Sequence, residues 1–125
     1  MRLLVTGGRD FRDHDFLFTT LDRLHAEHHF TLLIHGDARG ADRLASEWAE
    51  ERDIQVLVCP ADRKRHGRAA SVKRNRQMLA EQPDLVVAFP GDSDTSHMVI
   101  IADDAGVKVI YADEVTAPGS GTEQA

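Results

Sequence analysis

The chain has 125 residues, 42% of them apolar and 29% charged, with a formal net charge of -6. That length holds one domain with a full core and no second one, and the composition is that of a globular chain rather than an unfolded or fibrous one. The acidic balance speaks against a protein that coats nucleic acid generically, although seven of the 15 Lys and Arg residues fall between Arg63 and Arg76 with no acid among them.

Taken in order, Leu3 to Val5 is an apolar run that reads as a buried strand, stopped by the turn Thr6-Gly7-Gly8-Arg9-Asp10-Phe11. A helix is expected from about Asp13, with Leu17, Thr20, Leu21 and Leu24 as its buried stripe. Thr31 to Ile34 is a second short, unbroken strand, followed by the turn His35 to Asp42 and a helix from Ala41 whose apolar side is Leu44, Ala45, Trp48 and Ala49. Ile54 to Val58 is the third strand, ended by Cys59-Pro60. The basic loop Asp62 to Arg68 then leads into a helix with Ala70, Val72, Met78 and Leu79 on its apolar side, closed by Pro83. Leu85 to Phe89, the most hydrophobic run, is expected as the central strand, with Pro90 to Thr95 as its outgoing turn. Met98, Val99, Ile101, Ala102 and Ala105 mark a last helix ended at Gly106, and Val107 to Tyr111 is the fifth strand. The segment from Ala117 has neither period nor apolar content and is expected to be disordered.

Strands alternating with helices on short loops predict an α/β fold, a parallel sheet of about five strands with helices on both faces. The glycine-rich and polar turns all follow strands, so they converge on the rim beyond the carboxyl ends, where open α/β sheets bind ligands. No apolar run reaches membrane-spanning length, and the first strand runs too soon into Gly7 and Gly8 to be a signal-peptide core. Cys59, the single cysteine, cannot form an internal disulfide, so the expected location is the cytoplasm.

On that rim, Gly7 and Gly8 permit close backbone approach to a phosphate and Arg9 adds a bidentate cation. Neither G-x-G-x-x-G nor G-K-[ST] occurs, which leaves ordinary NAD and ATP chemistry unsupported. Asp42 is read either as a helix cap or as an acceptor for a ribose hydroxyl. Asp37, Asp92 and Asp94 are candidates for a divalent cation, although three acids in separate loops form a weak metal pattern. Asn75, between Arg74 and Arg76, is a poor helix former whose amide suits a ligand or a facing loop. His35 reads as a satisfied polar residue at a strand end rather than a base.

The motifs GGRDF, HGDARGADRLASEWA, PAD at Pro60 to Asp62, HGRAA, RNRQML and FPG at Phe89 to Gly91 stand here in that order. Together they resemble the YspA, cpYpsA-related branch (DUF2493) of the SLOG superfamily, a group that includes DprA and the LOG phosphoribohydrolases. The resemblance covers roughly Arg2 to Tyr111. It implies a single Rossmann-like domain, taken here as residues 1–115 with a tail at 116–125, and a site for a nucleotide or nucleotide-derived molecule. Carried over by position, it nominates Gly7, Gly8, Arg9, Gly36, Arg39, Gly40, Asp42, Arg74, Asn75, Gly91 and Thr95.

The chain also departs from that pattern. Asp37 stands where the branch usually has glycine, Ser71-Val72 where it has Gly-Pro, Asp92-Ser93-Asp94-Thr95 where it has a G-x-G-T-like turn, and Arg63 where an aromatic is common. The hydrolase relatives carry a catalytic glutamate in P-G-G-x-G-T-x-x-E, and the corresponding position is Met98, which can neither move a proton nor stabilise a cationic centre. Three functions follow as expectations. The first is a module that binds or senses a nucleotide-derived ligand. The second is an N-glycosidic hydrolase in which Asp42, Asp92 or Asp94 replaces the glutamate. The third is a DprA-like module that holds single-stranded DNA on the Arg63 to Arg76 segment. Pairing with a second copy through an exposed helix is a further expectation that no stretch specifies.

Overall fold

The computed structural model describes residues 1–112; the expected tail at 116–125 lies outside the described residues. Five parallel strands, β1 (Arg2–Thr6), β2 (Leu32–His35), β3 (Gln55–Val58), β4 (Leu85–Ala88) and β5 (Lys108–Tyr111), stand in the order β3-β2-β1-β4-β5. They are joined by α1 (His14–His28), α2 (Ala41–Glu51), a short α3 (Arg63–His66), α4 (Ala70–Ala80) and α5 (Ser93–Asp104). The α/β expectation holds. In the β1–β2 and β1–β4 pairs, Leu3 aligns with Leu33 and Leu85, and Leu4 with Ile34 and Val86.

Because successive side chains on a strand point to opposite faces, the sheet feeds two cores. Leu3, Val5, Leu33 and Val87 pack with Leu17, Leu21 and Trp48 of α1 and α2. Leu4, Ile34 and Val86 pack with Met78, Met98 and Ala102 of α4 and α5. Helices thus cover both faces, as a parallel sheet requires. Among the described residues no helix is long and apolar enough to cross a membrane.

Five local expectations are corrected. β1, not β4, is the middle strand; three interior strands are all buried, so hydrophobicity alone does not rank them. Val72 is 37% exposed, because α4 turns Ser71, Arg74 and Asn75 inward instead, and Ala105 is exposed past the end of α5. The basic stretch after Asp62 is a helical turn rather than a loop, since the Asp62 carboxylate caps it by accepting from the Arg65 N–H at 3.1 Å. Ser93 to Thr95 already belong to α5, which Asp92 caps.

α1 and α2 are locked by one carboxylate. Asp22 Oδ1 accepts from the Trp48 indole N–H and from Arg52 Nε, both at 2.8 Å, and Oδ2 accepts from Arg52 Nη2 at 2.9 Å. Trp48 is fully buried, so its N–H has no cheap alternative partner. Asp22→Ala is expected to cost about 1–2 kcal/mol in urea unfolding; an unchanged midpoint would show that the indole N–H finds water at no cost.

Candidate functional site at the switch between β1 and β4

Chain direction across the sheet reverses between β1 and β4, the first leading outward to β2 and the second to β5. The turns leaving these neighbours part there and leave a crevice. A cleft of about 400 Å³ occupies it, with Gly8, Arg9 and Phe11 on one wall and Pro90, Gly91 and Asp92 on the other. The Gly8 N–H donates to the Pro90 carbonyl at 2.8 Å and binds the two walls together. The Phe11 ring seals the floor against Phe89, with centroids 5.3 Å apart.

The third turn, between β2 and α2, lies behind the first. Gly40 has φ +83, a backbone that side chains rarely adopt, and a Cβ there would collide with the Gly8 and Arg9 carbonyls. The Ala41 N–H donates to Gly8 O at 3.2 Å. Arg9, Arg39 and Arg43 each meet an aspartate on this rim: Arg9 Nη2 lies 3.5 Å from Asp94, Arg39 Nη2 3.8 Å from Asp10, and Arg43 Nε 3.6 Å from Asp37. All three pairs are substantially exposed, so they order the surface more than they stabilise it.

Asp42 is 5% exposed, and Gly40 rather than Asp42 is the N-cap of α2. Its Oδ2 accepts from the Gly36 N–H at 3.0 Å and the Ala38 N–H at 3.2 Å, so it staples the turn it follows. Burial pushes its pKa up to about 6, against the lowering effect of those N–H groups and of nearby Arg74. His35, 1% exposed, accepts from the Asp37 N–H through Nδ1 at 2.9 Å, which places the ring proton on Nε2, a buried atom with no partner among the described residues. Burial holds its pKa below the usual histidine value.

Arg74 and Asn75 brace the turns from α4. Arg74, 7% exposed, donates from Nη1 to Gly36 O at 2.8 Å and from Nε to Asn75 Oδ1 at 2.9 Å. Asn75 Nδ2 donates to Asp94 O at 3.1 Å and stands 3.1 Å from His97 Nδ1. A Cβ on Gly36 would overlap the Arg74 guanidinium, which explains the glycine. Gly7 sits where β1 passes Ala41 and Phe89, and Gly91 faces Thr95, whose buried Oγ1 has no partner among the described residues.

The structure therefore brings Gly8, Arg9, Gly91 and Asp92 to one cleft, with Asp94 reaching Arg9 from the first turn of α5, while Thr95 lines a separate neighbouring cavity with Ser96 and Tyr111. It places Gly36, Asp42, Arg74 and Asn75 in the frame behind it, and Arg39 and Gly40 on the adjoining rim. Phe11 and Pro90 also line the cleft, and their only signal in the sequence is their place in GGRDF and FPG. Among the described residues no cluster of three His, Cys, Asp or Glu side chains suits a metal ion. Met98 is fully buried in the core with Met78 and Ala102.

The open five-stranded parallel sheet with helices on both faces defines a Rossmann-like α/β class, and the comparisons give the family. The model of the YspA, cpYpsA-related SLOG family matches residues 1–66, and the chain belongs to that family. It is similar to the gene 61 protein of Mycobacterium phage D29, 37% identical over 117 residues, which span 87% of this chain and 94% of the phage protein. No solved structure matches. The family match includes the Gly7–Arg9 and Gly36–Asp42 turns but stops short of Arg74, Asn75 and the α5 end of the cleft.

Asp42 and His35 give the frame opposed pH dependences. Asp42, with its pKa raised from 3.8 to about 6, favours the folded state when protonated, so its contribution grows as pH falls through 6 and is complete below 3.8. His35, held below 6.5, contributes above that value and loses its contribution as pH falls. Comparing the protein with Asp42→Asn isolates the first effect: relative to the variant, it is expected to gain up to about 3 kcal/mol between pH 7 and pH 4 in chemical unfolding. A pH-independent difference would show that the carboxylate is not desolvated in solution.

Proposed function

We propose that the protein binds a nucleotide or nucleotide-derived small molecule in the cleft between the β1 and β4 turns, as a sensing or sequestering module without turnover. The observation that carries this is the position of the cleft: it lies at the switch point, between two glycine turns, with the Arg9 guanidinium on its wall. Membership of the SLOG family supports a nucleotide-related ligand. Binding is favoured over hydrolysis by the state of the carboxylates. Asp42 is buried with Oδ2 engaged twice, Asp92 accepts from the Asp94 N–H, Asp94 pairs with Arg9, and Met98 is in the core. None of these groups is set to deliver or remove a proton at an open glycosidic bond.

DNA binding along the Arg63 to Arg76 segment is supported less. Arg74 is buried on Gly36 O, and Arg63 Nη2 donates to Ser71 Oγ at 3.1 Å, so two of the seven cations are engaged internally.

A thermal-shift screen of nucleosides, nucleotides, cyclic and ADP-ribose-type compounds and NAD is expected to yield at least one ligand that raises Tm and is recovered unchanged by chromatography after incubation. Arg9→Ala is expected to weaken that ligand about tenfold or more, as loss of a charge-assisted hydrogen bond does. Release of base or phosphate would establish a hydrolase instead, and the absence of any hit would remove the small-ligand proposal.

A further inference from the structure

Resting on the proposed cleft, we infer that Asp94 occupies the anion position of the site, so that the protein selects a nucleoside-like ligand with no phosphate at Arg9 over its phosphorylated counterpart. Phosphate binding at such a place draws on three things: a cation, the free N–H groups at a helix N-terminus and the positive end of the helix dipole. Here each is already facing a carboxylate. Arg9 Nη2 is 3.5 Å from Asp94 Oδ2. The Asp94 N–H donates to Asp92 Oδ1 at 3.1 Å, which caps the twelve-residue α5. Asp92 also lines the cleft itself, and Asp94 adds a second negative charge in the first turn. A phosphate entering beside Arg9 would meet two carboxylates and would have to displace one from its arginine.

The position of Asp94 is fixed rather than incidental. Asn75, 2% exposed, holds the Asp94 carbonyl through Nδ2 at 3.1 Å, so the backbone that carries the carboxylate is tied to α4. The remaining groups suit a neutral, hydroxyl-bearing ligand. Asp92, at the start of α5, presents its carboxylate on the cleft wall beside Gly91. A hydroxyl donates as well as accepts, and carboxylates accept from sugar hydroxyls. The α5 end is therefore furnished to read a sugar edge.

Isothermal titration with inorganic phosphate at constant ionic strength, on the protein, Asp94→Asn and the Asp94→Asn/Arg9→Ala double variant, tests this directly. Asp94→Asn is expected to bind phosphate about tenfold tighter than the unaltered protein, a gain reduced from the bare Coulomb figure because both partners are partly exposed. The double variant is expected to lose that gain. Nucleosides and their 5′-monophosphates are titrated in parallel: the protein is expected to prefer the nucleoside, and Asp94→Asn to reverse the preference. Asp94→Ser serves as a second variant should the first be unstable.

Equal phosphate affinity in the protein and in Asp94→Asn overturns the inference, and does so even where a nucleoside binds and the proposed function stands. Tighter binding of a monophosphate than of its nucleoside by the unaltered protein overturns it equally. A phosphate gain in Asp94→Asn with no nucleoside or nucleotide bound by any variant would support Asp94 as the occupant of the anion position and remove the nucleotide proposal.

Discussion

The peptide of Gly8 joins the three turns on which the site depends. Its N–H donates to Pro90 O at 2.8 Å, and its carbonyl accepts from Phe11 N–H at 3.3 Å and Ala41 N–H at 3.2 Å. One residue thus ties the β1 turn to the β4 turn in front and to the start of α2 behind. A side chain here would strike the Gly91 Cα and the Pro90 carbonyl, both backbone and unable to yield. The glycines of this rim are spent first on bringing chain segments into contact. Only the surfaces left over face the cleft.

A second layer of polar residues holds that arrangement in place. Asp42 staples the β2 turn, Arg74 holds its Gly36 carbonyl, and Asn75 reaches across to α5. Buried polar groups of this kind are costly to leave unpaired, and each is paired here to backbone, with Arg74 and Asn75 bonded to one another as well. Such a network fixes the β2 turn and the start of α5 relative to α4. Preorganisation of a binding cleft requires that rigidity more than it requires any single strong contact.

Much of this was legible in the sequence, and the limits have physical causes. Periodicity located all five strands and the long helices, because a parallel sheet buried on both faces writes unbroken apolar runs. The convergence of Gly7–Asp10 and Gly91–Thr95 followed from topology alone. What the sequence could not separate was frame from cleft. Arg74 and Asn75 look like ligand residues by type, and Asp42 like a helix cap, yet their partners lie 38, 19 and 6 or 4 positions away along the chain. Nor could composition show that Arg9 and Asp94, from opposite ends of the chain, would meet and neutralise one another. Val72 misled for a related reason: on α4 the inward positions are taken by polar residues that serve the turns, which a hydrophobic stripe does not reveal.

The proposed ligand contact lies between the β1 and β4 turns and not on the basic α3–α4 surface. Backbone amide NMR of the labelled protein, titrated with the best ligand from the nucleoside and nucleotide panel and separately with single-stranded DNA, addresses it residue by residue. The small ligand is expected to shift the amides of Gly8 to Phe11 and Gly91 to Thr95, with smaller changes at Gly36 to Ala38 through the stapled turn. Shifts confined to Arg63 to Arg76, with the glycine turns unmoved, would contradict the account and transfer the function to that surface.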